Sequence, residues 1–220
     1  MKRGLRDAID AVNPFWPLVI CVGFGGVIAS NRIWQEFLVL DLIITLSITI
    51  LVYGRIVFYM APGSSSSSWT ILKENGLNYV IAIAIIGSPQ IALRVLLAGH
   101  LNTLFMYVVF GTLISSVFGV LTIYALPIVF LKNSSLAAIL AGVTYLSRNL
   151  AASSWIAGIV VITHVLAAAG ALVFRVEATP WSFVFVLATA VVGAFLSFVA
   201  FAAALRILLE SAEQEPGFHA

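Results

Sequence analysis

The sequence predicts an all-α, polytopic membrane protein of six transmembrane helices with amphipathic helices at the interface, and three observations predict it. Hydrophobic residues make up 62% of the chain and charged residues 9%, against about 25% charged in an ordinary soluble domain. Apolar runs of roughly 18 or more residues recur along the length, and in lipid only a helix or a closed barrel satisfies its own backbone. No segment is left over for a sizeable soluble domain, so residues 1–220 are expected to form a single integral membrane bundle.

Residues 1–13 read as an amphipathic lead-in helix lying at the interface. Basic residues, an apolar run and small residues in succession over residues 1–30 also fit a secretory signal, and an uncleaved first span is the expectation. Spans are expected at residues 14–29, 37–57, 77–97, 104–131, 152–174 and 181–205. The connection APGSSSSSWTILKENG should begin flexible and end in an interfacial turn of helix. In 133–149, Leu136, Ile139, Leu140, Val143 and Leu146 recur at helical spacing after an NSS cap, the pattern of an amphipathic helix on the cytoplasmic face. The acidic end, 209–220, reads as a frayed, flexible tail. A short amphipathic segment precedes each odd-numbered span, a weak repeat that would account for the six spans as three hairpins.

Orientation follows from the cations. Lys2, Arg3, Arg6, Arg55, Lys73, Lys132, Arg148 and Arg206 fall on one side and Arg32, Arg94 and Arg175 on the other. The positive-inside rule then puts both termini in the cytoplasm of a bacterial-type inner membrane. Trp34, Trp69, Trp155 and Trp181 fall near the expected interfaces, where aromatic belts form. The net charge is only +2 and no basic cluster is interleaved with aromatics, so lipid rather than nucleic acid is the expected partner. The single cysteine, Cys21, has no mate for an internal disulfide and reads as a small buried apolar residue.

The inventory for catalysis is thin. There is no HExxH, CxxC, Walker A or GxSxG arrangement, and the serines have no recognisable His and Asp set. Of the three histidines, His100 falls in a connection and His219 in the tail. His164 alone lies within a span, where a hydrogen bond to a neighbouring helix is the commoner role than metal or haem ligation. No catalytic residue, cofactor or metal site is therefore expected.

The polar residues within the spans form the remaining candidates, and AIIGSPQIALR in the third span holds most of them. Pro89 lacks an amide hydrogen and clashes with the Ile85 carbonyl, so the helix is expected to kink or open near Ile85 to Ser88, with Gly87 easing the opening. Ser88, water or Gln90 would meet the released carbonyl. Arg94 and Asp41 fall at matching depth on adjacent antiparallel spans, and an ion pair between them is the leading expectation. A gate or polar-substrate contact and independent snorkelling are the other two. Asp41, Ser88, Pro89, Gln90, Arg94 and His164 thus constitute either a polar route or a structural network. Small residues four apart mark helix packing: Gly25 with Ala29, Gly26 with Ser30, Ala167 with Ala171, Ala190 with Ala194, and Ala200 with Ala204. They serve either the bundle interior or, on the last span, another membrane subunit.

The stretch ALPIVFLKNSSLAAILAGVTYLSRNLAASSWIAGIVVI, residues 125–162, resembles a segment of the broad group of six-span bacterial membrane proteins that includes the glycerophosphodiester phosphodiesterase membrane domain. Pro127, the helix from Ser134, Arg148 and Asn149 carry the resemblance, while the acidic residue expected near Lys132 is missing. The resemblance implies a six-span helical fold with interfacial helices and implies no reaction.

Two functional expectations follow. The first is a non-enzymatic accessory, scaffolding or assembly subunit of a larger membrane complex, with a membrane protein or a second copy of the chain as partner. The second is a small-molecule permease or channel with a polar route at the broken third helix. An enzyme acting on lipids ranks third, since no acid–base pair presents itself.

Overall fold

The computed structural model describes residues 2–30, 38–61, 67–98, 103–132, 134–176 and 179–214. Within them the chain forms α1 (Lys2–Val12), a 3₁₀ turn (Asn13–Phe15), α2 (Trp16–Ser30), α3 (Leu38–Met60), α4 (Ser68–Ala98), α5 (Leu104–Leu121), α6 (Ala125–Lys132), α7 (Leu136–Arg148), α8 (Leu150–Val176) and α9 (Pro180–Gln214). Six helical stretches are long and apolar enough to cross a membrane: Gly4–Val27, Val39–Met60, Ser68–Leu97, Leu104–Leu121, Leu150–Val173 and Pro180–Ser211. All-α, polytopic architecture follows directly.

Four boundaries differ from the sequence expectation. The lead-in is nearly continuous with the first span, Pro14 sitting in a single 3₁₀ turn between α1 and α2. The serine-rich connection does not end in a separate turn, because α4 begins at Ser68 and runs straight into the span. The long fourth span is two helices, broken at Thr122–Tyr124. Pro127 supplies the reason: its ring would clash with the Ile123 carbonyl in a continuous helix, and it is tolerated in the first turn of α6 instead. The Thr122 hydroxyl caps the end of α5 by donating to the Phe118 carbonyl at 2.7 Å. Finally, the expected flexible tail from residue 209 is helical as far as Gln214, since Arg206 Nε donates to Glu210 Oε1 at 2.7 Å one turn on. Residues 215–220 lie outside the described residues.

α9 is the hub, touching α1, α2, α3, α6 and α8. Its segment from Phe198 to Leu205 is wholly buried, around an aromatic cluster in which the Tyr53 ring stacks on Phe201 with centroids 4.1 Å apart and meets Phe198 edge-on at 5.1 Å. Tyr79 and Phe130 close the cluster from α4 and α6. α1 buries Ala8, Ala11 and Val12 completely and ion-pairs Asp7 with Arg206 of α9.

α7 packs on the rest of the chain by its small-residue side and leaves most of its apolar stripe uncovered. Ala138, Gly142 and Leu146 are buried, while Leu136, Leu140 and Val143 are exposed. Gly142 decides this: a methyl there would meet the backbone nitrogen of Ala125 at 2.8 Å, so the bare backbone of α7 seats on the break between α5 and α6. Cys21 is exposed on α2 rather than buried.

Candidate functional site: a polar cavity between α4, α5 and α8

The polar residues of AIIGSPQIALR lie in one continuous helix, α4, with Pro89 inside it. The expected opening is absent because the damage is repaired locally. The Ser88 hydroxyl donates to the Ile85 carbonyl at 3.3 Å, and Gln90 Nε2 donates to the Ile86 carbonyl at 3.3 Å. Side chains thus replace the ladder bond that proline removes.

Arg94 does not pair with Asp41, contrary to the leading expectation. Its Nη2 donates to the Gly111 carbonyl at 3.1 Å and to Ser115 Oγ at 2.5 Å, both on α5. Ser115 in turn donates to Gln90 Oε1 at 3.3 Å. Independent snorkelling is also overturned. Helical side chains lean toward their own N-terminus, so Arg94, close to the Ala98 end of α4, reaches back toward the middle of the helix and not out to the nearer interface. Asp41 sits instead in the first turn of α3, where a helix N-terminus favours negative charge, beside Gly25 and Thr45.

Three residues of α5 make this arrangement possible, and sequence reasoning overlooked them. Gly111, Ser115 and Gly119 fall four apart on one face of GTLISSVFGVLT, a small-residue stripe of the kind that lets helices approach. Gly111 faces the guanidinium, a methyl there coming into ordinary contact with it at 3.7 Å, and offers its carbonyl as acceptor. Gly119 admits His164 of α8: a methyl at Gly119 would lie 2.8 Å from His164 Nε2. The signal was present, yet it reads as ordinary packing until the face opposite is known to carry an arginine and a histidine.

These groups line a cavity of about 240 Å³, bounded by Arg94, Tyr107, Gly111, Thr112, Ser115 and His164 with small residues of α8. A second cavity of about 320 Å³ lies on the other side of His164, walled by Tyr53, Tyr79, Thr122, Thr163, Ser197 and Phe201. His164 belongs to both walls. Of the six expected polar residues, Gln90, Arg94 and His164 are therefore brought together, Ser88 and Pro89 serve the α4 backbone, and Asp41 stands apart.

The small residues divide three ways. Gly25 makes a close approach, a methyl there meeting Asp41 and Thr45 of α3. Gly26, Ala167, Ala171, Ala190 and Ala194 border an open groove of about 600 Å³ between α2, α8 and α9, and Ala194 also packs against the core. Ala200 and Ala204 are buried within the chain and offer no surface to another subunit. Ala29 and Ser30 are placed as α2 backbone, and their side chains lie outside the described residues.

Among the described residues no three His, Cys, Asp or Glu side chains come together as metal ligands. Fold and site define a multi-pass α-helical membrane protein with a polar cavity inside the bundle. No protein-family model matches the chain, and neither a curated protein nor a solved structure matches it.

Proposed function

We propose that the chain is a small-molecule permease or channel whose polar route runs beside α4, past Gln90, Arg94 and Ser115 to His164. The observation that carries this reading is the cavity bounded by Arg94, Ser115 and His164, a polar space inside an otherwise apolar bundle. Charged groups within a membrane are costly, about 2.5–3.5 kcal/mol for an arginine at the centre of a span, and are retained where they line a solute pathway. The second cavity shares His164 with the first, which puts two spaces next to one imidazole. The orientation belonging to this reading has both termini in the cytoplasm of a bacterial-type inner membrane, with α1 and α7 lying at its cytoplasmic interface.

Flux of a panel of small solutes into proteoliposomes tests it. Gln90→Leu and Arg94→Leu should abolish flux while the purified protein keeps its helical circular dichroism and monodisperse elution. Unchanged flux in both variants would overturn the reading.

A second reading, a non-enzymatic accessory subunit of a larger membrane complex, rests on the groove of about 600 Å³ lined by Gly23, Gly26, Gly170 and Ala190, wide enough to receive part of a partner helix. It expects a stoichiometric membrane protein to co-purify in mild detergent. Neither reading includes a bond-breaking step, and the resemblance of residues 125–162 to the glycerophosphodiester phosphodiesterase membrane domain group adds none.

A further inference from the structure

We infer that the cavity at Arg94 is a binding site for a small anionic group, a carboxylate or a phosphate monoester. This rests on the permease reading and names its substrate class. Arg94 brings a permanent positive charge into a space where its protein partners are neutral: the Gly111 carbonyl and the Ser115 hydroxyl, both taken by Nη2. Its Nε is buried and, among the described residues, has no hydrogen-bond partner. Among the described residues no carboxylate forms an ion pair with it, the pairs formed being Arg6 with Asp10 and Arg206 with Asp7 and Glu210.

Arginine presents its donors as a planar fork that matches carboxylate and phosphate oxygens. Here Nη2 is pinned on α5 and Nε is shut in beside Gly111, so the cavity meets a fixed guanidinium whose charge has no acidic partner among the described residues. Ser115 cannot turn away, since it accepts from Arg94 while donating to Gln90. The fork is thus held in place before any ligand arrives, which removes part of the ordering cost of binding. Tyr107 and His164 stand around the same space and supply further hydrogen-bonding groups for the remaining oxygens, while the Thr112 hydroxyl is committed to the Val108 carbonyl at 2.7 Å. A cation would meet Arg94 with no acidic residue in the wall to offset it. The volume, about 240 Å³, is roughly eight times the share of one liquid water, enough for a small organic anion.

Two sources could deliver the anion. Ala167 and Ala171 of the wall are exposed, so the cavity opens on the flank of the bundle and admits a lipid headgroup from the bilayer as well as a dissolved anion.

The test uses the full chain in phosphatidylcholine nanodiscs, with radiolabelled benzoate as probe and benzamide as its neutral isostere. Benzoate should be retained, an excess of benzamide should not displace it, and Arg94→Gln should weaken retention at least ten-fold. Arg148→Gln, an exposed position on α7, should leave it unchanged. Discs doped with phosphatidic acid separate the sources. Displacement of benzoate there, with Arg94-dependent co-purification of the lipid, assigns the site to a headgroup; undiminished retention assigns it to a dissolved anion. The wild-type comparison does not depend on any variant folding. Displacement by benzamide, or failure to retain either benzoate or phosphatidic acid, overturns the inference. Benzoate flux into proteoliposomes is read separately. Retention without flux removes the permease reading and leaves the anion site, whereas equal flux of benzoate and benzamide, lost in Gln90→Leu, does the reverse.

Discussion

His164 shows how much a single position depends on what its neighbour lacks. Its Nε2 stands where a side chain on Gly119 would begin, so the imidazole can take its place beside both cavities only because residue 119 is glycine. Gly119→Val should force the ring aside or push α5 from α8, and overpacking of this kind costs about 1–3 kcal/mol. Thermal unfolding in detergent should show the loss, and replacing His164 by Ala in the same chain should recover only part of it, because a side chain at residue 119 also meets Val160 Cγ1 at 2.8 Å. Arg94 carries the complementary lesson. Its unusual chemistry was visible from residue type and depth alone, but its partner was not. Asp41 matched it in depth, and depth says nothing of which way each helix faces. Nor did the type of residue reveal that the lean of a helical side chain would carry the charge inward.

At the scale of elements, two prolines of the same chemistry end differently. Pro89 leaves α4 unbroken because Ser88 and Gln90 return hydrogen bonds to the carbonyls of Ile85 and Ile86. Pro127 accompanies a full break, because α7 must seat Gly142 on the backbone at Ala125. Pro89→Ala should therefore change stability by less than about 1 kcal/mol, an added backbone bond offsetting little in a helix already repaired. Pro127→Ala removes a fully buried side chain and permits α5 to run on into α6. That would draw Tyr124 away from its 2.6 Å hydrogen bond to Ser153, and a loss of about 2–3 kcal/mol is expected. Chemical denaturation followed by circular dichroism distinguishes the two. The helices themselves were legible as apolar runs, since lipid leaves the backbone no other choice. Their interruptions were not, because whether a proline breaks a helix depends on the side chains and partner helices that surround it.

Across the whole molecule, the weight of stabilisation falls on the contacts of α9, and its two kinds of contact differ in size. The Asp7–Arg206 pair joining α1 to α9 is partly solvated, with side chains 41% and 25% exposed, and such pairs contribute about 0–1 kcal/mol. Phe201, buried in the aromatic cluster, is of another order. Phe201→Ala should cost about 3–5 kcal/mol and Asp7→Asn under about 1 kcal/mol, as measured by thermal unfolding. A larger effect of Asp7→Asn would mean that the position of α1 is held mainly by charge and not by burial of Ala8, Ala11 and Val12. The bundle as a whole was foreseeable from composition, whereas the cavity was not. It arises where three helices with unrelated sequences place small, hydroxyl and cationic groups at one level, a coincidence visible only after the helices are assembled.

The length of α9 has its own outcome. Thirty-five residues of helix extend about 52 Å at 1.5 Å per residue, while the hydrocarbon layer is about 30 Å thick. Near its Gln214 end the helix bears both outlying helices: Asp7 of α1 grips Arg206, and the Tyr145 hydroxyl of α7 binds Ser211 and donates to the Ile207 carbonyl at 3.2 Å. α9 is thus a mast with two stays fastened to the same short length. A change in its tilt displaces both stays together, so α1 and α7 answer to one helix and not to each other.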